Sequence, residues 1–204
     1  MFMTMLAGLL TGLIVSIPIG PVAAQAAHRW MDGKNRDVYG MAVGVYIGDI
    51  VVAAVVMTLL YHHIVELSGP VMIGGVAVMF IMAAIIKRHL TWIEGVKGSF
   101  STFVLMGWFI TIIQAGNYGT YLMFYGWGVQ GVLGVPMVAE MTWEHILAMV
   151  VMNAVGLLIG WILYFAYISY LKRTRGVSLK PLLSFLTPTL VAAAGIFTLV
   201  HYML

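Results

Sequence analysis

Asp49 is the one acidic residue set deep in an apolar stretch of this chain, Val38 to Leu60. It lies about eleven residues in from the nearer polar end, which at 1.5 Å per helical residue is roughly 16 Å. A carboxylate at that depth in a membrane helix costs at least a few kcal/mol, so it faces the interior of a bundle and is a functional group by default. It would meet an ammonium group, a sodium ion or a proton; its structural alternative is a carboxyl hydrogen-bonded to a neighbouring helix. Asn153 stands at a similar depth in a second apolar stretch and is expected to be the neutral counterpart of Asp49.

The remaining candidates are mostly backbone. Pro18-Ile19-Gly20-Pro21 interrupts the first apolar run. Both prolines lack an amide hydrogen and clash with the carbonyl four residues back, which predicts a kink or a break. Pro21 suits the first position of a new half-helix, leaving the amides of Val22, Ala23 and Ala24 unpaired and turned toward an anionic group such as a carboxylate. Gly116-Asn117-Tyr118-Gly119 is expected to interrupt a later run in the same manner, with Asn117 capping a half-helix that presents the amides of Gly119 and Thr120. Gln25 and Gln114 flank the two interruptions and either line a polar path or bond neighbouring helices. A packing kink is the plainer account of both interruptions, since Pro and Gly are common in membrane helices.

Other chemistry finds little support. Cysteine is absent, which removes disulfides and thiolate metal sites. His62, His63 and Glu66, like Glu144 and His145, fall at apolar-run boundaries without the spacing of a zinc hydrolase, and are read as solvated. No nucleophile, base and orienting group converge, so neither an enzyme nor a cofactor is expected.

The elements that must hold these residues follow from composition. Of 204 residues, 62% are apolar and 8% charged, against about a quarter charged in soluble domains, too few charges to cover a soluble fold. Apolar runs of about twenty residues match a hydrocarbon core of roughly 30 Å. They predict an all-α membrane protein with six transmembrane helices, near Phe2 to Ala27, Val38 to Leu60, Pro70 to Ile86, Thr102 to Gly128, Trp143 to Leu171 and Leu182 to Leu204. Basic residues cluster in alternate linkers: Arg29, Lys34 and Arg36; Lys87, Arg88 and Lys97; Lys172, Arg173, Arg175 and Lys180. Positive charge collects on cytoplasmic loops, which predicts a multi-pass protein of the inner cell membrane with both termini outside. Val22 to Ala27 has the small residues of a signal-peptidase site, but Arg29 follows the apolar run and no basic residue precedes it, so cleavage is not expected.

A basic third linker places helices one to three and four to six in opposite orientations, the plan of a 3+3 inverted repeat with broken helices 1 and 4. The repeats would be residues 1–101 and 102–204. Glycines four apart, Gly8 with Gly12, Gly40 with Gly44 and Gly48, and Gly156 with Gly160, predict close helix packing.

The stretch from Gly8 to Asp49 resembles the LysE/RhtB family of amino-acid exporters (LysE-type translocators), whose first helix carries a P-x-G-P element and whose second carries a Gly-Asp pair. Here these are Pro18 to Pro21, then Gly48 and Asp49. The family's fourth helix bears Asn-Pro, where this chain has Asn117 and Tyr118. The resemblance implies a secondary transporter exporting a small polar solute, an amino acid being the expected class, by ion-coupled alternating access. Its partners would be that solute, a coupling proton or sodium ion, and membrane lipid, with no nucleic acid; a homo-oligomer is compatible with this reading. The expected binding set is Pro18, Gly20, Pro21, Val22, Gln25, Asp49, Gln114, Asn117 and Asn153, with no resident metal. Two rivals stand beside it: a divalent-cation transporter of the same superfamily, using oxygens of Asp49, Asn117 and Asn153, and a non-transporting membrane scaffold subunit.

Overall fold

The computed structural model describes residues 1–16, 21–62, 77, 81, 97–113, 115–125, 134–135 and 138–175. Among them the structure is all helical: α1 (Phe2–Val15), α2 (Pro21–Met31), α3 (Asn35–Tyr61), α4 (Phe100–Ile113), α5 (Ala115–Met123) and α6 (Trp143–Arg175), with a 3-10 turn at Val138–Glu140. Two of these are long and apolar enough to cross a membrane, α3 over Asn35–Tyr61 and α6 over Trp143–Arg173. The expected third and sixth helices, Pro70 to Ile86 and Leu182 to Leu204, lie outside the described residues apart from Ala77 and Ile81, which are helical.

The first apolar run forms two helices. Helix α1 closes at Ser16, whose amide donates to the Gly12 carbonyl at 3.0 Å and whose hydroxyl donates to the Leu13 carbonyl at 2.6 Å. Helix α2 starts at Pro21, where a missing amide hydrogen costs nothing. It stops at a glycine cap: Gly33, with φ +78, donates to Trp30, and Lys34 donates to Arg29 at 2.9 Å, which satisfies carbonyls that the helix end would leave open. The fourth run also forms two helices, but not where expected. Gly116 to Gly119 is helical and belongs to α5, which already begins at Ala115. A glycine inside a helix costs only about 1 kcal/mol, whereas an amide unbonded in apolar surroundings costs more, so the helix continues through both glycines.

Two helix pairs form the frame. Helix α1 lies along α6 and α3 lies along α4, each pair parallel, and in each the glycines remove the side chains that would hold the backbones apart. A methyl on Gly12 would overlap the Asn153 carbonyl, and one on Gly44 the Val104 carbonyl. The two seams repeat each other residue by residue. Gly12 faces the Asn153 carbonyl and the Leu157 amide as Gly107 faces those of Met41 and Val45. Gly156 faces Leu9 and Leu13 as Gly44 faces Val104 and Trp108, and Gly160 faces Ser16 and Leu13 as Gly48 faces Thr111 and Trp108. One constant shift thus carries α1 onto α4, and another carries α6 onto α3. The first shift also puts Pro21, where α2 starts, on Gly116, one residue inside α5.

Two apolar clusters tie the pairs together. One joins Ala7 of α1, Val52 to Leu60 of α3, Tyr121 and Tyr125, and Ile146 and Met149 of α6. The other joins Val22, Ala26 and Ala27 of α2, Val38 to Val45 of α3, Phe103 of α4, and Trp161 to Ile168 of α6. The start of α3 therefore meets the end of α6, and the two run antiparallel. At the second cluster's end, Arg29 binds Asp37 at 2.7 Å and lies 4.7 Å above the Phe103 ring, while Lys172 donates to the Trp30 carbonyl at 3.0 Å. Arg29, Lys34, Arg36, Lys97, Lys172 and Arg173 all belong to segments that meet here. The outer faces of α3 and α6 are apolar along their length, with Val43, Ile47, Val51 and Val55 exposed on one and Leu147, Val151, Val155 and Ile162 on the other.

Candidate functional site

Between the two apolar clusters the molecule has a polar waist. Asp49, beside the centre of α3, falls between Val45 of one cluster and Val52 of the other; Asn153 falls likewise between Met149 of one and Trp161 of the other on α6. Both are buried, Asp49 with 5% of its surface exposed and Asn153 with none. Tyr121 of α5 borders the waist from the first cluster: it is fully buried and shares that cluster with Val52, which follows Asp49 on α3, and with Met149, one turn before Asn153 on α6. Tyr125 stacks on Tyr121 with ring centroids 5.6 Å apart and planes at 18°.

The polar atoms at the waist differ in how they are satisfied. Thr11 and Thr111 each donate to the carbonyl one helical turn back, Ala7 at 2.8 Å and Gly107 at 2.9 Å, and need nothing further. The hydroxyls of Tyr121 and Tyr125 and both amide atoms of Asn153 are buried without a well-formed hydrogen bond. Such atoms each cost about 1–3 kcal/mol when left unpaired. Native folds retain few of them without a water or ligand to meet them.

The other expected site residues fall differently. Pro21 opens α2 as predicted, so the half-helix start exists and its first amides lack helical partners. Val22 packs in the apolar cluster with Val45 and Trp161, and its side chain serves packing. Gln25 is buried and partnered. Asn117 is the third residue of α5 and so cannot cap a helix presenting the amides of Gly119 and Thr120; the half-helix start lies at Ala115 instead. Pro18, Gly20 and Gln114 lie outside the described residues, as do His63 and Glu66. Among the described residues no group of three or more His, Asp or Glu gathers as a metal site would require.

The seam register also corrects one pairing. The shift that puts Gly156 on Gly44 puts Asn153 on Met41 and Trp161 on Asp49, so in the seam register Asn153 does not correspond to Asp49. The two lie at one level because α3 and α6 run antiparallel through the same two clusters, not because they are equivalent. Tyr121 escaped the sequence reading. Its signal was weak: two tyrosines four apart, Tyr121 and Tyr125, on one face of a largely apolar helix, each with a hydroxyl that a buried position must satisfy.

Comparison of the chain with protein-family models, with curated proteins and with solved structures finds no match to any of them.

Proposed function

We propose that the chain crosses a cell membrane six times as a 3+3 inverted repeat with broken helices 1 and 4, and that it carries a small polar solute by ion-coupled alternating access. Several features support the topology. Six alternating spans make helices one and five parallel and helices two and four parallel, the senses seen for α1 with α6 and α3 with α4. The equivalence of the two glycine seams supports an inverted repeat, since it relates α1 to α4 and α6 to α3. The gathering of basic residues at one end agrees with a cytoplasmic face there and both termini outside. Exposed apolar faces running the length of α3 and α6 suit lipid.

The observation that carries the function is the waist: a buried carboxyl of α3 and a buried amide of α6 between two apolar clusters, bordered by a buried phenol of α5. Transporters of this plan bind at the midplane beside half-helix termini. The amides at the starts of α2 and α5 would hold an anionic end of the solute, and Asp49 an ammonium end or the coupling proton. A zwitterionic amino acid satisfies both, and export is the direction that the resemblance to the LysE/RhtB family implies.

The test is exchange of labelled amino acids in proteoliposomes. Asp49→Asn is expected to reduce exchange at least tenfold, while Trp161→Phe, at the equivalent place in the other pair, retains most of it. Absence of exchange for every amino acid and small polar solute tried, or full activity of Asp49→Asn, ends this reading.

A further inference from the structure

We propose that Tyr121 and Asn153 form, with Asp49, a three-oxygen cradle that reads a primary ammonium group of the solute, an inference that rests on the transporter reading above. The argument begins with the unsatisfied atoms. Asn153 has no exposed surface and neither amide atom makes a well-formed hydrogen bond; the Tyr121 hydroxyl, equally buried, makes none either. Packing alone would favour an apolar residue at both places, because replacing an unsatisfied polar group by one of similar shape is neutral or stabilising. Their presence is accounted for by a polar group that arrives between them.

The chemistry of that group follows from the donors and acceptors on hand. Tyr121 Oη, Asn153 Oδ1 and the Asp49 carboxylate are three acceptors from three different helices, α5, α6 and α3. An ammonium group has three N–H donors and one positive charge, which matches them in number and sign. A divalent cation would have to fill most of its coordination sphere with water or backbone oxygens, since these three side chains hold a single carboxylate. Because the three acceptors come from different helices, the ammonium group would also fasten the α3/α4 pair to the α1/α6 pair, so the same contact that reads the solute links it to helix movement.

Thermal shift of the detergent-purified full chain provides the test, with ethanolamine and glycine set against choline and glycine betaine, which carry the same positive charge without N–H donors. The primary amines are expected to raise Tm and the trimethylated compounds to leave it unmoved; equal shifts from both sets overturn the proposal without any variant. Tyr121→Phe and Asn153→Leu are expected to weaken ethanolamine binding at least tenfold while the Tm without ligand stays level or rises. A fall in that Tm with ethanolamine affinity unchanged assigns both residues to structure alone and overturns the proposal. Proteoliposome flux separates this inference from the one beneath it. Normal amino-acid exchange in both variants removes the cradle and keeps the transporter, whereas selective amine binding without flux of any solute keeps the cradle and removes the transporter.

Discussion

The α1/α6 and α4/α3 pairs share one backbone fit and bring different side chains to its middle. In both, a glycine on one helix sits against a carbonyl and an amide four residues apart on the other, and the next glycine meets a hydroxyl residue, Ser16 in one pair and Thr111 in the other. At the waist the likeness ends: where α3 has Asp49, α6 has Trp161, and where α6 has Asn153, α3 has Met41. Glycine fixes how closely two helices approach, and that constraint acts on the backbone regardless of the neighbouring side chains. The polar group is set by only a few positions. Two matching seams can therefore carry unlike side chains, with the acid on one helix pair and the amide on the other.

The comparison breaks most readily at the seams. Gly12→Leu and Gly107→Leu, at equivalent places, each press a side chain into a partner backbone that cannot move aside. Both should destabilise by about 3 kcal/mol or more, the upper range of overpacking, read as loss of the monodisperse species in detergent or a large drop in Tm. A severe effect in one pair and a mild one in the other would show that the seams are not equivalent. A nearly equal loss is expected at the basic end, where Asp37→Ala leaves Arg29 buried at 4% exposure without its carboxylate. Removing one partner of a buried pair costs about 3 kcal/mol, and since this ion pair is built only from α2 and α3, substitution of Arg173, exposed at the end of α6, should leave Tm within the error of the same measurement. The smallest effect belongs to Gly33→Ala. A residue with a Cβ at φ +78 costs about 1 kcal/mol, so Tm should fall by a few degrees while labelled exchange stays intact.

Much of the frame could be read from residue types. Apolar runs gave helices near their observed limits, Val38 to Leu60 against Asn35–Tyr61 and Trp143 to Leu171 against Trp143–Arg175, because an apolar segment must bond its own backbone groups. The start of α2 at Pro21 was equally legible, since a ring without an amide hydrogen excludes itself from a helix interior but suits a first turn. Gly116 and Gly119 misled by the same kind of argument: glycine permits a break and does not force one.

What the chain composition determined by itself was therefore local: where backbone hydrogen bonds can run on, where they must stop, and which helix faces are bare enough to touch. Tertiary structure decided the rest. Met41 and Asn153 correspond, and Asp49 and Asn153 do not, only because of the register at which α1 seats on α6 and α3 on α4. Tyr121 reaches the edge of the waist because α5 packs on α3, which brings it into one cluster with Met149, 28 positions further along the chain. Helix formation depends on neighbours within one turn, whereas a site depends on which distant turns come to share a plane, and that is set by the packing of whole faces.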